Sequence, residues 1–435
     1  MSPRILLSIA FLVCSLPQSL LAQTPAEITL PVSGSTLTTD ALTFKWTAAT
    51  GALKYTINVG SVKGGKNYFT AATGTTPSAT INVLPANGST FYVRLYTQFS
   101  TGSLFRDYTY KAAKIPRVLL FLHGMNSTPG TWSVARADLN LGTMPTIKNG
   151  VASATATADP SGKNIYAYGV TFGAFDVTSK RKGLEGVAGA TNYATRGDFE
   201  TFTNLGTEVN AAIGRILALH PKAEVILVGH SRGGLAGRAF LQDPLSKATS
   251  KAAVKGFVTI GTPHLGSRFG RLNAWLGTHP RDPLNHATES ADWQVADAIL
   301  TNGSLDVRRP TVDDLSDLSS SIVALKSGAT ALPATISYYG IAYNGYALGV
   351  LDPSYNIFTG LVPFVPPFTV ECKTNLLSAG KTPANYPGDG IVPTTSQKFP
   401  GKTSLQISKN MLHNDETDQS TDILNGLGKV CGWFH

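Results

Sequence analysis

The sequence predicts an α/β chain: a mostly parallel sheet with helices on both faces, preceded by a small all-β sandwich. Three observations carry this. From about Ala26 to Lys111 apolar residues alternate with period two, the mark of half-buried strands. Beyond Pro116 short continuous apolar runs take turns with stretches of helical spacing. One of those runs ends in Gly-x-Ser-x-Gly at the head of a helical stretch.

The chain is long enough, at 435 residues, for two or three domains and far too long for a scaffold held by disulfides. Apolar residues make up 42%, which excludes wholesale disorder although only 14% are charged. Lys and Arg outnumber Asp and Glu by 36 to 27. These basic residues are scattered, and Lys180-Arg181-Lys182 is their longest cluster, so the concentrated footprint of a nucleic-acid binder is missing.

Met1 to Ala22 carries one basic residue (Arg4), an apolar run from Ile5 to Val13 and small residues near Ala22. That is the pattern of a secretory signal peptide cut after Ala22, and the run is too short to span a bilayer. The expected setting is therefore extracellular or periplasmic. Cys14 leaves with the signal. The remaining pair, Cys372 and Cys431, then reads as one disulfide of an exported protein.

Residues 26–111 form the sandwich. Its strands are marked by Leu42, Phe44 and Trp46; by Tyr55, Ile57 and Val59; by Ile81 and Val83; and by Phe91, Val93 and Leu95. Glycines and Asn87-Gly88 supply the turns between them. The layout resembles fibronectin-type or immunoglobulin-like modules, which implies either a spacer or a unit that grips a polymer or surface.

Residues 115–435 form the α/β domain, after a linker from Tyr110 to Pro116. Strands are expected at Val118–Leu122, Ile165–Phe172, Val225–Val228, Gly256–Ile260, Ile336–Tyr343 and Leu405–Ile407. Phe202, Leu205, Val209, Ile213 and Ile216 share one helical face, and His220-Pro221 ends that helix. A second helix is expected over Gly234–Leu241.

The chemistry gathers where these strands end. Val225 to Val228 runs into Gly229-His230-Ser231-Arg232-Gly233 and out into a helix. In such an elbow the serine points its hydroxyl out of the sheet, and side chains two residues before or after would collide with strand and helix. A serine needs a general base, oriented by an acid, and in this architecture the order is serine, acid, histidine. His264, His279, His286, His413 and His435 follow Ser231. His264 comes too early for an acid to intervene, His279 and His286 lie in a polar loop, and His435 is terminal. His413 follows the last strand and is preceded by Asp389, set between two glycines. An Asp so placed also suits a plain turn. The oxyanion needs two main-chain N–H groups, one after the nucleophile (Arg232) and one after the first strand, at His123-Gly124-Met125, where Met125 is the natural donor.

Four of these segments together resemble the secreted bacterial lipases of the α/β-hydrolase superfamily, most closely the Pseudomonas-type triacylglycerol lipases: Phe-Leu-His123-Gly124-Met125, Gly-His-Ser231-Arg-Gly-Gly, Gly-Thr-Pro-His264-Leu-Gly and Asp389-Gly-Ile-Val-Pro. The likeness covers roughly 115 to 432. It implies an α/β-hydrolase fold and a lipase or esterase with Ser231, Asp389 and His413 as triad, Met125 and Arg232 as oxyanion donors, an ester or lipid substrate and no required cofactor. It also implies a structural Ca²⁺ held in part by Asp415 and Gln419, with a carbonyl near Ile423. The same acidic run has a simpler reading as favourable charge opening a helix. The stretch from Asn344 to Pro387 departs from the family. Arg268 to Pro283 and the apolar Leu348 to Val370 are candidates for acyl pocket and lid, the latter equally for core. A polyhydroxyalkanoate depolymerase, an acyltransferase and a secreted adhesion protein with an inert hydrolase half stand as alternatives. No obligate protein partner is implied.

Overall fold

In the computed structural model the chain divides into two compact units, one ending at Ala112 and one formed by Ala113–His435 together with the short stretch Ala86–Gly88. The structure describes residues 23–173, 177–180, 192–195, 200–276, 310–328, 332–352, 355–360 and 385–434, with a few isolated positions between them. The expected signal peptide and Cys372 lie outside the described residues.

The first unit is two antiparallel sheets. One orders β1 (Ile28–Leu30), β2 (Leu42–Trp46) and β5 (Ser78–Ile81); the other orders β4 (Phe69–Gly74), β3 (Lys54–Gly60), β6 (Thr90–Phe99) and β7 (Gly102–Lys111). The period-two residues do what their spacing predicts. Phe44, Ile57, Val59, Phe91, Val93 and Leu95 are fully buried in one shared core. Tyr110, placed in the linker by the sequence reading, belongs to that core, its ring 5.4 Å from Phe44. Val83 lies beyond the end of β5 and is exposed. On the outer face Arg94 pairs with Asp107 at 2.7 Å and lies 4.0 Å over Phe105.

The second unit is built on an eight-stranded sheet. Its strands are β8 (Arg117–Leu122), β9 (Thr146–Lys148), β10 (Val151–Ala152), β11 (Ile165–Val170), β14 (Glu224–His230), β15 (Val254–Ile260), β16 (Ser337–Tyr343) and β21 (Thr403–Ile407). Between them fall the hairpin β12 (Val177–Lys180) and β13 (Asn192–Thr195) and the short pieces β17 to β20 within 346–388. The spatial order is β10-β9-β11-β8-β14-β15-β16-β21, parallel throughout except for β10.

Every residue of β8 is buried, because both faces are covered. Val118, Leu120 and Leu122 pack with Val209 and Ile213 of α2 (Phe202–Leu219) and Phe240 of α3 (Arg232–Gln242). Leu119 and Phe121 face the other way, onto Trp132, α1 (Ser133–Asp138) and the final helix Ser420–Val430. Each such fully buried side chain contributes about 1.5–3 kcal/mol. α2 starts where the Thr201 hydroxyl accepts the Asn204 N–H at 3.2 Å, and it stops at His220, ahead of Pro221, which cannot continue a helix. Among the described residues no helix is long and apolar enough to cross a membrane.

The expected disulfide is not supported: Cys431 carries a free thiol among the described residues, and its expected partner, Cys372, lies outside them. It caps the end of the final helix, its N–H bonded to Leu427 O at 2.9 Å, and its side chain packs against the apolar layer that includes Trp433. Burial pushes this thiol up to about 11, as for an inert packing cysteine.

Candidate active site

β14, an interior strand, delivers Ser231 to the carboxyl end of the sheet through a sharp turn. Ser231 has φ 53° and ψ −127°, a strained conformation for a residue with a side chain, and its N–H is held by Ile260 O at 2.9 Å. The flanking glycines make the turn possible. A methyl on Gly229 would sit 2.7 Å from Gly234 Cα, and one on Gly233 would lie 2.5 Å from His123 O. Strand and helix therefore meet at van der Waals distance only without those side chains.

His413 begins a short 3₁₀ helix, His413–Asp418, beyond β21. Its Nε2 lies 2.7 Å from Ser231 Oγ and its Nδ1 2.8 Å from Asp389 Oδ2. Asp389 is fully buried. Its Oδ1 accepts the N–H groups of Ile391 at 2.9 Å and Val392 at 2.6 Å. The geometry accommodates both readings of Asp389: one oxygen builds the turn, and the other faces the histidine.

Met125 lines a cleft of about 240 Å³ beside Ser231, and its side chain leans on the apolar cluster of Phe202, Leu235 and Leu315. Arg232 opens α3, so its N–H belongs to the first turn, where helical N–H groups have no intrahelical acceptor. The Arg232 guanidinium is buried, donates to Glu200 O and lies 5.0 Å from the centre of the Phe202 ring. The cleft is walled by Phe269, Val312, Leu315, Ile391 and Val392. Of the expected pocket segment Arg268 to Pro283, the described helix Arg268–Leu276 supplies Phe269, Gly270 and Asn273. Leu348 to Val370 contributes no described residue to the cleft; Leu348, Ile357 and Phe358 are buried elsewhere.

Asp415 and Gln419 fit a calcium site poorly. Asp415 is exposed and stands in the first turn of the 3₁₀ helix, and Gln419 precedes the final helix. Burial of part of its surface and the neighbouring Asp418 push the Asp415 carboxyl up. Among the described residues, one carboxylate, one amide and a carbonyl near Ile423 fall well short of the six to eight oxygens Ca²⁺ takes.

Two neighbours escaped the sequence reading. His230, the residue before the serine, is buried and bonds to His413 O through Nε2 at 2.8 Å. Burial, and then His413, hold its ring well below the usual histidine range, so it is a neutral Nε2–H donor. Glu416 is fully buried beside both histidines. Its only sequence signal is its position one helical turn after His413.

A family model described as the PGAP1-like alpha/beta domain matches residues 200–309, the span that contains the elbow. The chain has the α/β-hydrolase fold. Among solved structures it is similar to the mature lipase BlEst2 of Bacillus licheniformis, with 15% identity over 73% of this chain and 92% of that one, TM-score 0.40. It is also similar to the product of the gene lin2722 of Listeria innocua, with 14% identity over 72% and 93%, TM-score 0.39. Phospholipase PlaB of Legionella pneumophila shows 12% identity over 56% and 42%, TM-score 0.34. No curated protein sequence matches the chain.

Proposed function

We propose that the chain is a serine hydrolase of carboxylic esters, taking substrates with an apolar acyl group. The observation that carries this reading is the position of His413, within hydrogen-bond reach of Ser231 Oγ on one side and Asp389 on the other. His413 Nε2 takes the hydroxyl proton as Ser231 Oγ attacks the ester carbonyl carbon. The N–H groups of Met125 and Arg232 hold the oxygen that gains the negative charge. His413 then gives the proton to the alcohol oxygen as the C–O bond breaks, leaving an acyl-enzyme. Water repeats the cycle with the same base. Asp389 keeps Nδ1 protonated, so that Nε2 is free to accept. The acyl chain is drawn to the cleft walled by Phe269, Val312, Leu315, Ile391 and Val392.

The setting proposed is outside the cytoplasm, on the strength of the signal-like Met1–Ala22. Fluorophosphonate labelling tests the reading: one equivalent should attach at Ser231, and hydrolysis of a short p-nitrophenyl ester should stop. A folded protein that takes no label would leave the adhesion-protein reading standing. Polyhydroxyalkanoate granules against emulsified triglyceride separate a polyester depolymerase from a lipase. Ester product formed with an added alcohol reveals acyl transfer.

A further inference from the structure

Glu416 is an anomaly for a group expected to be charged. It is fully buried, and neither carboxyl oxygen has a hydrogen-bond partner of well-formed geometry. The donors nearest to it are already committed. His230 Nε2 is 3.3 Å from Glu416 Oε2 but points its hydrogen at His413 O, 2.8 Å away. His413 Nδ1 is 3.7 Å from the same oxygen but 2.8 Å from Asp389. The place is built for the side chain nonetheless. Gly261 at the end of β15 has φ 53°, and a methyl there would overlap the Glu416 carboxyl. An ionised carboxylate without donors in such a place is strongly disfavoured.

We infer that Glu416 is a positioning residue, held as a neutral carboxylic acid whose proton is directed at the Asp389 carboxylate. Burial first, and then the charge and close approach of Asp389, hold its carboxyl well above the ordinary range. The other titratable groups around it fit that state. His230 is neutral, and Asp415 adds negative charge from the same segment. Tyr343 approaches from β16 with its hydroxyl bonded to Asp422, which Lys409 already neutralises at 2.8 Å. None of these offers Glu416 a counter-charge.

The consequence reaches His413. Two ionised carboxylates beside one imidazole would favour its protonated form and remove the base at neutral pH. A protonated Glu416 leaves a single negative charge on Asp389 and adds a third type of donor to it, beside the two backbone N–H groups and the imidazole.

This inference rests on the hydrolase reading for its consequence, but its core is tested without turnover. The infrared spectrum at neutral pH should contain a protonated-carboxyl stretch that Glu416→Gln removes; its absence overturns the inference whatever the activity. In turnover, Glu416→Gln should keep kcat/KM within about threefold and leave the acid limb of the pH–rate profile in place, because a neutral donor replaces a neutral donor. A downward move of that limb by about one pH unit would mean that a negative charge had been removed, and would overturn the inference. Glu416→Leu fills the space without a donor and should lower kcat about tenfold with KM little changed. Wild-type kcat in the folded Leu variant would refute the positioning role. Failure of the hydrolase reading itself would show differently, as a wild-type protein that neither labels nor turns over.

Discussion

His413 Nε2 meets Ser231 Oγ at 2.7 Å across 182 residues of chain, and bonds outside these two side chains hold the segments that carry them. The His413 N–H donates to Asp389 O at 3.1 Å, while His230, next to the serine, donates to His413 O at 2.8 Å. Thr417 and Thr131 hydroxyls bond at 3.0 Å and tie the histidine segment to the loop after β8. The segments carrying Asp389, His413 and Ser231 are thus cross-linked through groups that survive substitution of those three side chains.

It follows that Ser231→Ala should fold normally and still lose hydrolysis of a p-nitrophenyl ester by about a thousandfold or more. Asp389→Asn and His413→Ala should also fall severely, and neither loss should compound with Ser231→Ala, since the three act as one unit. Circular dichroism melts alongside the rates separate a chemical effect from unfolding. Near-wild-type turnover in Ser231→Ala would sink the nucleophile.

The elbow glycines yield a paired test. Gly233→Ala puts a methyl against His123 O at 2.5 Å, where neither strand nor helix can yield, and should cost about 1–3 kcal/mol together with most activity. Gly428 is exposed on the final helix, and a methyl added there would meet nothing within 4 Å, so the same change should gain about 0.5–1 kcal/mol. Urea unfolding of both variants checks the contrast; equal effects would mean that backbone entropy, not close packing, governs both positions.

The strands of the sheet are legible in the sequence because burial on both faces writes them as unbroken apolar runs. Val118–Leu122 and Val225–Val228 can be little else, and one apolar face together with Pro221 betrays α2. The proposed triad is legible through chain order, which leaves His413 and Asp389 as the candidate partners of Ser231. What escapes depends on contacts distant in sequence. No pattern marks β9 and β10, with three and two residues, as strands. Glu416 looks like one more surface acid in an acidic run, because the room for its buried carboxyl is left by Gly261, distant in sequence and just past the end of β15. The pairing of Cys372 with Cys431 rests on count alone, and count carries no geometry.

Buried neutral histidines set the acid side of stability. His264 is fully buried, its Nε2 3.0 Å from Thr259 Oγ1, and burial, reinforced by Arg238, holds it well below the usual 6.5. Unfolded, it titrates near its ordinary value. Between the two values the unfolded chain binds more protons, so stability is full above about pH 6.5 and is lost as pH falls toward the folded value. The limiting slope is about 1.4 kcal/mol per pH unit for each such group, and His230 adds its own. Denaturant unfolding at pH 7.5, 6.0 and 5.0 should show this fall. His264→Gln, whatever its offset at pH 7.5, should lose less on acidification; an unchanged slope would clear His264 of the role.

Calcium is the last test, and the expected outcome is that its removal changes nothing. The case for a site rests on Asp415 and Gln419 following the base at a family-like spacing. In the folded chain each has a local task. The Asp415 N–H donates to Leu412 O at 3.0 Å and places its charge in the first turn of the 3₁₀ helix, where the dipole favours an anion. The Gln419 N–H donates to Glu416 O at 3.2 Å as the chain enters the final helix. The histidine segment is also already anchored, through Thr417 to Thr131 and through Ser420 to Asp138 at 2.7 Å, so it needs no cation to hold it. Dialysis against a chelator should therefore leave the melting midpoint and esterase rate unchanged, and so should added Ca²⁺. A midpoint that drops with chelator and returns with Ca²⁺, but not with Mg²⁺, would restore the site and require further oxygen ligands from outside the described residues.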